Sequence, residues 1–302
     1  MFRNWLWAGF KYMLIKSGLE KDNLTVMFRC GFKTTLDPSA YSWFAGRHYA
    51  GMLSIVSCVD DAVYFVYKYN SHNVTFSYKI DNTFNFRYSN KEVKLFLDGI
   101  SFALHDILFE NFFGGAYEDL DVNNRIVVDV GAGVGDTAIY FTIRGAKKVI
   151  ALEPYPAFYE IASKNLELNK VDNKVKMING GLSGSDSYEC ADYSIPKGYL
   201  DFRSGEKCSV RVRMCTLKTL AEEMALEEAV LKMDCEGCEY DVFKNIDTRT
   251  LRKFNQIVIE FHNGSDPIAN VLREAGFRIK IMPIRSSDVP VEKQGYIVAS
   301  IV

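Results

Sequence analysis

The sequence predicts an α/β protein. A doubly wound, mostly parallel sheet with an antiparallel last strand is expected over residues 91–302, behind a small strand-rich module over residues 1–90. Three observations carry this. Apolar strand runs alternate with helical patterns after residue 125, which builds a parallel sheet through right-handed crossovers. A strand, a glycine-rich turn and a helix start follow one another in VVDVGAGVGDTAIYF, residues 127–141. Before about residue 90 the aromatics alternate with period two, the mark of half-buried strands.

The elements follow in order. MFRNWLWAGFKYMLIKSG is apolar but interrupted by Arg3, Lys11 and Lys16, and no run reaches the length of a membrane span, so no transmembrane segment is expected. It reads as an amphipathic helix packed on the protein, with a helix lying on a membrane surface as the alternative. No small-residue cleavage signal accompanies it, which makes the cytoplasm the expected location. AVYFVYKY, VTFSYKI and FNFRY are strands; Val74, Phe76, Tyr78 and Ile80 share one face, and Phe84, Phe86 and Tyr88 continue it after the DNT turn. EVKLFLDGISFALHDILFENFFGGAY reads as largely helical. RIVVDV, KVIALE, KVKMIN, AVLKMD and QIVIEF are buried-type strands. The helices between them are DTAIYFTIRGA, ending at Gly145, PAFYEIASKNLELN, opened by proline and closed by asparagine, and LKTLAEEMAL. DPIANVLREAG is a further helix. FRIKIMP and YIVASIV close the sheet with no helical pattern between them, so they can pair antiparallel at an edge.

Composition narrows the function classes. Of 302 residues, 48% are hydrophobic and 25% charged, as in ordinary globular domains able to bury a core unaided. A net charge of −2 supplies no basic field, so nucleic acid is not an expected partner. Seven cysteines, an odd number without dense spacing, read as a reducing compartment. The four histidines form no closely spaced pair, and no metal-ligand set is assigned.

The glycine turn is the first chemical signal. Gly131, Ala132, Gly133 and Gly135 follow the strand that ends in Asp129 and Val130, and ligands in such sheets sit at the carboxyl ends of strands. Asp136 and Thr137 open the next helix and are placed to cap its free N–H groups. Glu153, eighteen residues after the last glycine, stands where an acidic residue meets ribose hydroxyls. A dinucleotide fingerprint is G-x-G-x-x-G, with the helix start facing a pyrophosphate. Here the spacing is G-x-G-x-G and Asp136 occupies that helix start, which repels phosphate and tolerates the ammonium and sulfonium of S-adenosyl-L-methionine.

VLKMDCEGCEYDVF, residues 230–243, is the most specific stretch. With VVDVGAGVGDTAIYF, VIALEPYPAFYEIASKNLELN, MINGGLSG and IVIEFHN, it resembles the FkbM family of S-adenosylmethionine-dependent methyltransferases. Their mark is a strand ending K-x-D-x-E-G-x-E, here Lys232, Asp234, Glu236, Gly237 and Glu239. The resemblance covers about residues 90–302 and implies a Rossmann-like methyltransferase sheet. It implies that Gly131, Gly133 and Gly135 line the cofactor's methionine and ribose, that Glu153 accepts from the ribose hydroxyls, and that Pro154 and Tyr155 border the adenine. It places Asn179 and Gly180 at the adenine edge, although the family often has alanine where this chain has Gly180 and Gly181. Asp234 would lie beside the methyl group and the acceptor. Family members methylate varied hydroxyls, so a small molecule or glycan is the implied acceptor.

Methyl transfer to a hydroxyl needs close alignment and removal of one proton. The candidate bases, in order, are Asp234, His262 and Glu236, with Glu239 and Glu260 nearby in sequence; Glu239 reads equally as a cap for the following helix. Other readings stay open. The reaction could be N- or C-methylation, the loop could serve an NAD-dependent oxidoreductase, or the fold could be a non-catalytic cofactor-binding module. Asp234, Glu236 and Glu260 could instead hold a divalent cation. CEGC reads as packed thiols, with redox or zinc chemistry as the alternative. The aromatic strands read as core, or else as a stacking platform. The long connection over residues 185–209 reads as either a lid carrying Tyr188, Tyr193, Tyr199 and Phe202 or an extra hairpin. Residues 1–90 could present the acceptor, pair two copies into a homodimer, or touch a membrane.

Overall fold

A computed structural model describes residues 1–79, 81–97, 104–191, 210–284, 290 and 292–301. The chain forms two compact units, Met1–Gly115 and Ala116–Val302.

In the first unit, α1 (Trp5–Lys16) lies beside an antiparallel ribbon of β1 (Leu24–Met27) and β2 (Lys33–Leu36). Helix α2 (Pro38–Tyr49) starts at Asp37, whose side chain accepts from the N–H groups of Ser39 and Ala40, with Pro38 at the first helical position. An antiparallel meander follows: β3 (Leu53–Val59), β4 (Ala62–Tyr69), β5 (His72–Lys79), β6 (Thr83–Tyr88) and β7 (Lys91–Phe96). Ser89 and Asn90 both have positive φ, as a two-residue hairpin turn requires. Helix α3 (Leu104–Phe113) adds Phe109, which packs against Tyr67, Phe76 and Phe84. Phe28, Phe44, Phe65, Phe76 and Phe84 are fully or almost fully buried, so the alternating aromatics form core.

Three features differ from the sequence reading. EVKLF is a strand, not the start of a helix: Val93 and Leu95 are buried on one face while β7 pairs with β6. The first unit therefore runs past residue 90. Helix α1 buries only Ala8 completely and leaves most of its large apolar side chains in solvent, so it is not an amphipathic helix with its apolar face packed on the protein. Cysteines are joined as Cys30–Cys58 and, in the second unit, Cys235–Cys238, with Cys215 free and buried. CEGC is thus a disulfide rather than a pair of packed thiols, and the odd count lends no support to a reducing compartment.

The second unit carries a seven-stranded sheet in the order β10-β9-β8-β14-β15-β17-β16. Its members are β8 (Ile126–Val130), β9 (Lys148–Leu152), β10 (Val175–Ile178), β14 (Ala229–Met233), β15 (Phe254–Phe261), β16 (Phe277–Pro283) and β17 (Gly295–Ile301). The first five run parallel, and β17 pairs antiparallel with both β15 and β16. Helices α4 (Asp136–Ile143), α5 (Pro156–Leu168), α6 (Leu217–Glu223), α7 (Cys238–Lys244), α8 (Thr248–Leu251) and α9 (Asp266–Glu274) connect the strands. This is the doubly wound α/β sheet with an antiparallel last strand that the strand–helix alternation predicts.

A smaller sheet joins β11 (Gly180–Leu182), β12 (Ser187–Ala191) and β13 (Val210–Cys215) in the order β11-β13-β12. The start of the 185–209 stretch, β12, pairs antiparallel with β13 just beyond its end; Tyr193, Tyr199 and Phe202 lie outside the described residues. Gly180 and Gly181 have a local cause. A Cβ at Gly180 would lie 2.8 Å from the carbonyl oxygen of Arg213, and one at Gly181 would lie 2.7 Å from Met214 Cε. At Gly180 strand β11 packs too closely on the β13 backbone for alanine, whereas at Gly181 the obstacle is the flexible end of the Met214 side chain.

Strand order reverses at β8: the chain leaves toward β9 and β10 on one side and toward β14 and β15 on the other. The registers pair Val130 with both Leu152 and Met233, and Met233 with Ile259. The ends of β8, β9 and β14 thus come level at the switch point, with β15 running two residues further, where ligands bind in open α/β sheets.

Candidate functional site

The turn after β8 is tightly held. The N–H groups of Gly131 and Ala132 both donate to Leu152 O at 3.0 Å, and Gly135 N donates to Ala132 O at 2.8 Å. Gly131, Gly133 and Gly135 have φ of 75°, 52° and 82°, a region that favours glycine. A Cβ on Gly131 would stand 1.8 Å from Asp234 O, whereas one on Gly133 would meet nothing within 4 Å. The first glycine exists for packing between β8 and β14; the second faces open space.

Asp129 and Lys232 are the buried pair beneath this turn. Lys232 Nζ lies 3.1 Å from Asp129 Oδ1 and donates to Gly131 O at 2.8 Å. Burial opposes the lysine's charge, but Asp129, Asp234 and Asp136 outweigh it and hold the ammonium above its ordinary pKa. Asp129 Oδ2 accepts from Thr137 Oγ1 at 2.6 Å. Thr137 therefore ties α4 to β8 instead of capping the helix; the N-cap is Gly135, without a side-chain bond, and Asp136 is buried in the first turn.

Glu153, at the end of β9, is buried, and each carboxylate oxygen accepts a backbone N–H: Gly133 N at 2.8 Å and Tyr155 N at 3.0 Å. Burial outweighs these bonds and raises its pKa to about 7. Asn179 Nδ2 donates to the carbonyls of Glu153 and Pro154, and Gly180 N donates to Glu153 O. The structure thus brings Gly133, Glu153, Pro154, Tyr155, Asn179 and Gly180 together.

Beyond β14 the chain forms a tight loop. Glu236 has φ of 56° and Gly237 of 114°. Glu239, fully buried, folds back to accept from Cys235 N at 3.0 Å and Gly237 N at 2.7 Å. Its side chain thus reaches back to the N–H of Gly237, the N-cap of α7, and also holds the loop before it. His262, after β15, sits among four carboxylates: Glu236 at 3.5 Å, Glu239 at 3.6 Å, Glu260 at 3.7 Å and Asp234 at 3.9 Å. Burial alone would lower its pKa, but Glu239, Glu236 and Asp234 raise it to about 9. Burial likewise raises Asp234 and Glu236, against the pull of Lys232 and His262 on the former and of His262 on the latter. Asp234, Glu236 and His262 each offer one atom within 4.8 Å of the others, spacing that a divalent cation could also use.

Sequence reasoning missed several contributors. Lys232 belongs to the motif, and its role comes from its buried pairing with Asp129; a lysine inside the apolar run VLKMD is the signal for it. Tyr240 OH donates to Gly264 O at 2.9 Å and accepts from Asn263 N at 2.7 Å, fixing the turn after His262. Tyr117 is a buried phenol whose ionisation is opposed by burial and then by Tyr296, Asp234, Glu260 and Asp129. No local pattern marks either tyrosine.

The model of the methyltransferase FkbM domain matches residues 129–279, from the aspartate before the glycine turn into β16. This chain belongs to the FkbM methyltransferase family. The methyltransferase sdnD of Sordaria araneosa is 28% identical over 194 residues, covering 52% of this chain and 75% of its own length. The uncharacterized protein 158B of Sulfolobus islandicus rod-shaped virus 1 is 27% identical over 167 residues, covering 54% and 76%. Among solved structures, the FkbM methyltransferase of Methylobacillus flagellatus KT is 13% identical, with a TM-score of 0.43 over 63% of this chain and 47% of that one. The matched region lies within the second unit, and the activity is that of an S-adenosylmethionine-dependent methyltransferase. The residues present fit that cofactor. Gly133 leaves open space where a side chain would stand, Glu153 supplies a buried carboxylate at the end of β9 beside the turn, and Asp136 at the start of α4 disfavours a pyrophosphate.

Proposed function

We propose that this FkbM methyltransferase acts on a hydroxyl of a small molecule or glycan, with Asp234 as the general base. The observation that carries the reading is a carboxylate of raised pKa at the end of β14, beside the glycine turn and facing a charged imidazole. The bound cofactor supplies a methyl group on a sulfonium, a good leaving group. With the methyl group supplied from the sulfonium and the thioether as leaving group, Asp234 would hold the acceptor hydroxyl and take up its proton. Gly131, Ala132, Gly133, Gly135, Glu153, Pro154, Tyr155, Asn179 and Gly180 hold the cofactor's methionine, ribose and adenine. Asp129, Asp136 and Thr137 support this turn from beneath. His262, protonated at neutral pH, positions Asp234 and Glu236 instead of acting as the base itself.

Calorimetric titration of the full chain with S-adenosylhomocysteine and with NADH tests the cofactor assignment. Incubation with S-adenosylmethionine and a panel of hydroxylated acceptors, read by mass spectrometry, tests the reaction. Asp234→Asn should keep S-adenosylhomocysteine affinity and lose transfer by about 10²-fold or more. A methyl group found on nitrogen or carbon, or transfer undiminished in Asp234→Asn, would overturn this assignment.

A further inference from the structure

Helix α1 presents an apolar face that the described residues leave uncovered. Trp5, Leu6, Trp7, Phe10 and Met13 are each 51–69% exposed. At 100° per residue, Leu6, Phe10 and Met13 fall along one stripe, flanked by Trp5 and Trp7. Ala8 and Tyr12 lie on the opposite side, where Ala8 is buried and the Tyr12 ring lies 5.2 Å from that of Tyr41. The helix is anchored on this inner side. Asn4 Nδ2 donates to Thr25 O and Asn4 Oδ1 accepts from Met27 N, so the outer face is presented on a fixed support.

Charge decides among the occupants. Residues 1–19 contain Arg3, Lys11 and Lys16 and no aspartate or glutamate. Arg3 and Lys16 are exposed at the two ends of the stripe, and Arg29 is exposed beside Arg3, whose Nε donates to Arg29 O at 3.0 Å. Lys11 pairs on the flank with Glu20 and Asp22. A second copy of this surface would bring like cations together around the apolar stripe. A bilayer with anionic headgroups meets each part with its complement: acyl chains for Leu6, Phe10 and Met13, the interfacial layer for the two indoles, and phosphate or carboxylate groups for the cations. We propose that the outward face of α1 is a membrane-surface binding site that docks the enzyme on an anionic lipid bilayer. The helix lies in the interface and does not span it; no described helix is long and apolar enough to cross.

The test is co-sedimentation of the full chain with vesicles of phosphatidylcholine alone and of phosphatidylcholine mixed with phosphatidylserine. Two of the three tryptophans lie on α1, so their emission reports insertion directly. The expected result is sedimentation and a blue shift with the mixed vesicles, weaker with phosphatidylcholine alone, and diminished by added salt. Leu6→Glu and Phe10→Glu, made separately, should each weaken partitioning by about tenfold or more at an unchanged melting temperature, because both side chains are exposed. The proposal is overturned if neither vesicle carries the protein down, or if both variants bind as the parent does. It is equally overturned if sedimentation velocity shows a dimer that Leu6→Glu breaks while vesicles stay unbound, for the face would then join two copies.

Discussion

Gly131→Ala probes the joint between β8 and β14. A new Cβ would stand 1.8 Å from Asp234 O, so the backbones must part by about 1.2 Å to reach even a 3.0 Å contact. That movement breaks the bond from Asp234 N to Val130 O and the bond from Lys232 Nζ to Gly131 O. The first is worth about 1 kcal/mol and the second, being to a charged donor, about 2 kcal/mol. A φ of 75° adds about 1 kcal/mol for a side chain in the left-handed region. The expected loss is therefore about 4 kcal/mol. Gly133→Ala is the control: its φ is 52° but its Cβ meets nothing, so about 1 kcal/mol of strain is its whole cost to stability. All three tryptophans lie in the first unit, so the readout is urea unfolding by circular dichroism with amide hydrogen exchange in β8 and β14. If the two variants unfold within about 1 kcal/mol of each other, the claim that Gly131 exists for strand packing fails.

Three further outcomes follow from the same geometry. Glu153 has a folded-state pKa near 7 against an ordinary 4.5, so the folded state binds its proton more tightly; stability is full below about pH 4.5 and falls as pH rises through about 7, by about 3 kcal/mol. The stability difference between wild type and Glu153→Gln should slope accordingly, and a flat difference across that range would contradict it. His262, with a pKa near 9 against an ordinary 6.5, contributes stability that is full below about pH 6.5 and lost through about 9; an NMR titration placing its imidazole near 6.5 would remove its proposed cationic role. Glu239→Ala strands two backbone N–H groups and should cost about 2–4 kcal/mol, whereas Glu239→Gln, which keeps one acceptor, should cost about half as much by thermal unfolding.

The switch-point geometry was legible because it rests on short-range patterns. Strand runs such as RIVVDV and AVLKMD announce buried parallel strands, and glycines at every second position announce a turn that side chains cannot enter. The K-x-D-x-E-G-x-E run then gave both family and cofactor. What stayed hidden depends on partners distant in sequence. Lys232 finds Asp129 across about a hundred residues, and no local signal says that Thr137 ties to Asp129 rather than capping a helix. EVKLF reads as helix because the apolar pattern runs on through FALHDILFENFF, though Val93 and Leu95 already alternate. Cys30 and Cys58 meet only after β1, β2 and β3 have been placed.

Strand β17 lies between β15 and β16 although it follows both in the chain. During synthesis β16 therefore emerges before β17, its sheet partner among the described strands, and must wait beside an open gap. Until residues 295–301 arrive, β15 presents an unpaired edge beside the turn that carries His262. Such edges recruit strands from other chains. The late insertion makes the final stretch of the unit both its closing wedge and its guard against misassembly. A premature stop anywhere between residues 283 and 295 would yield an open, adhesive sheet rather than a merely shorter enzyme.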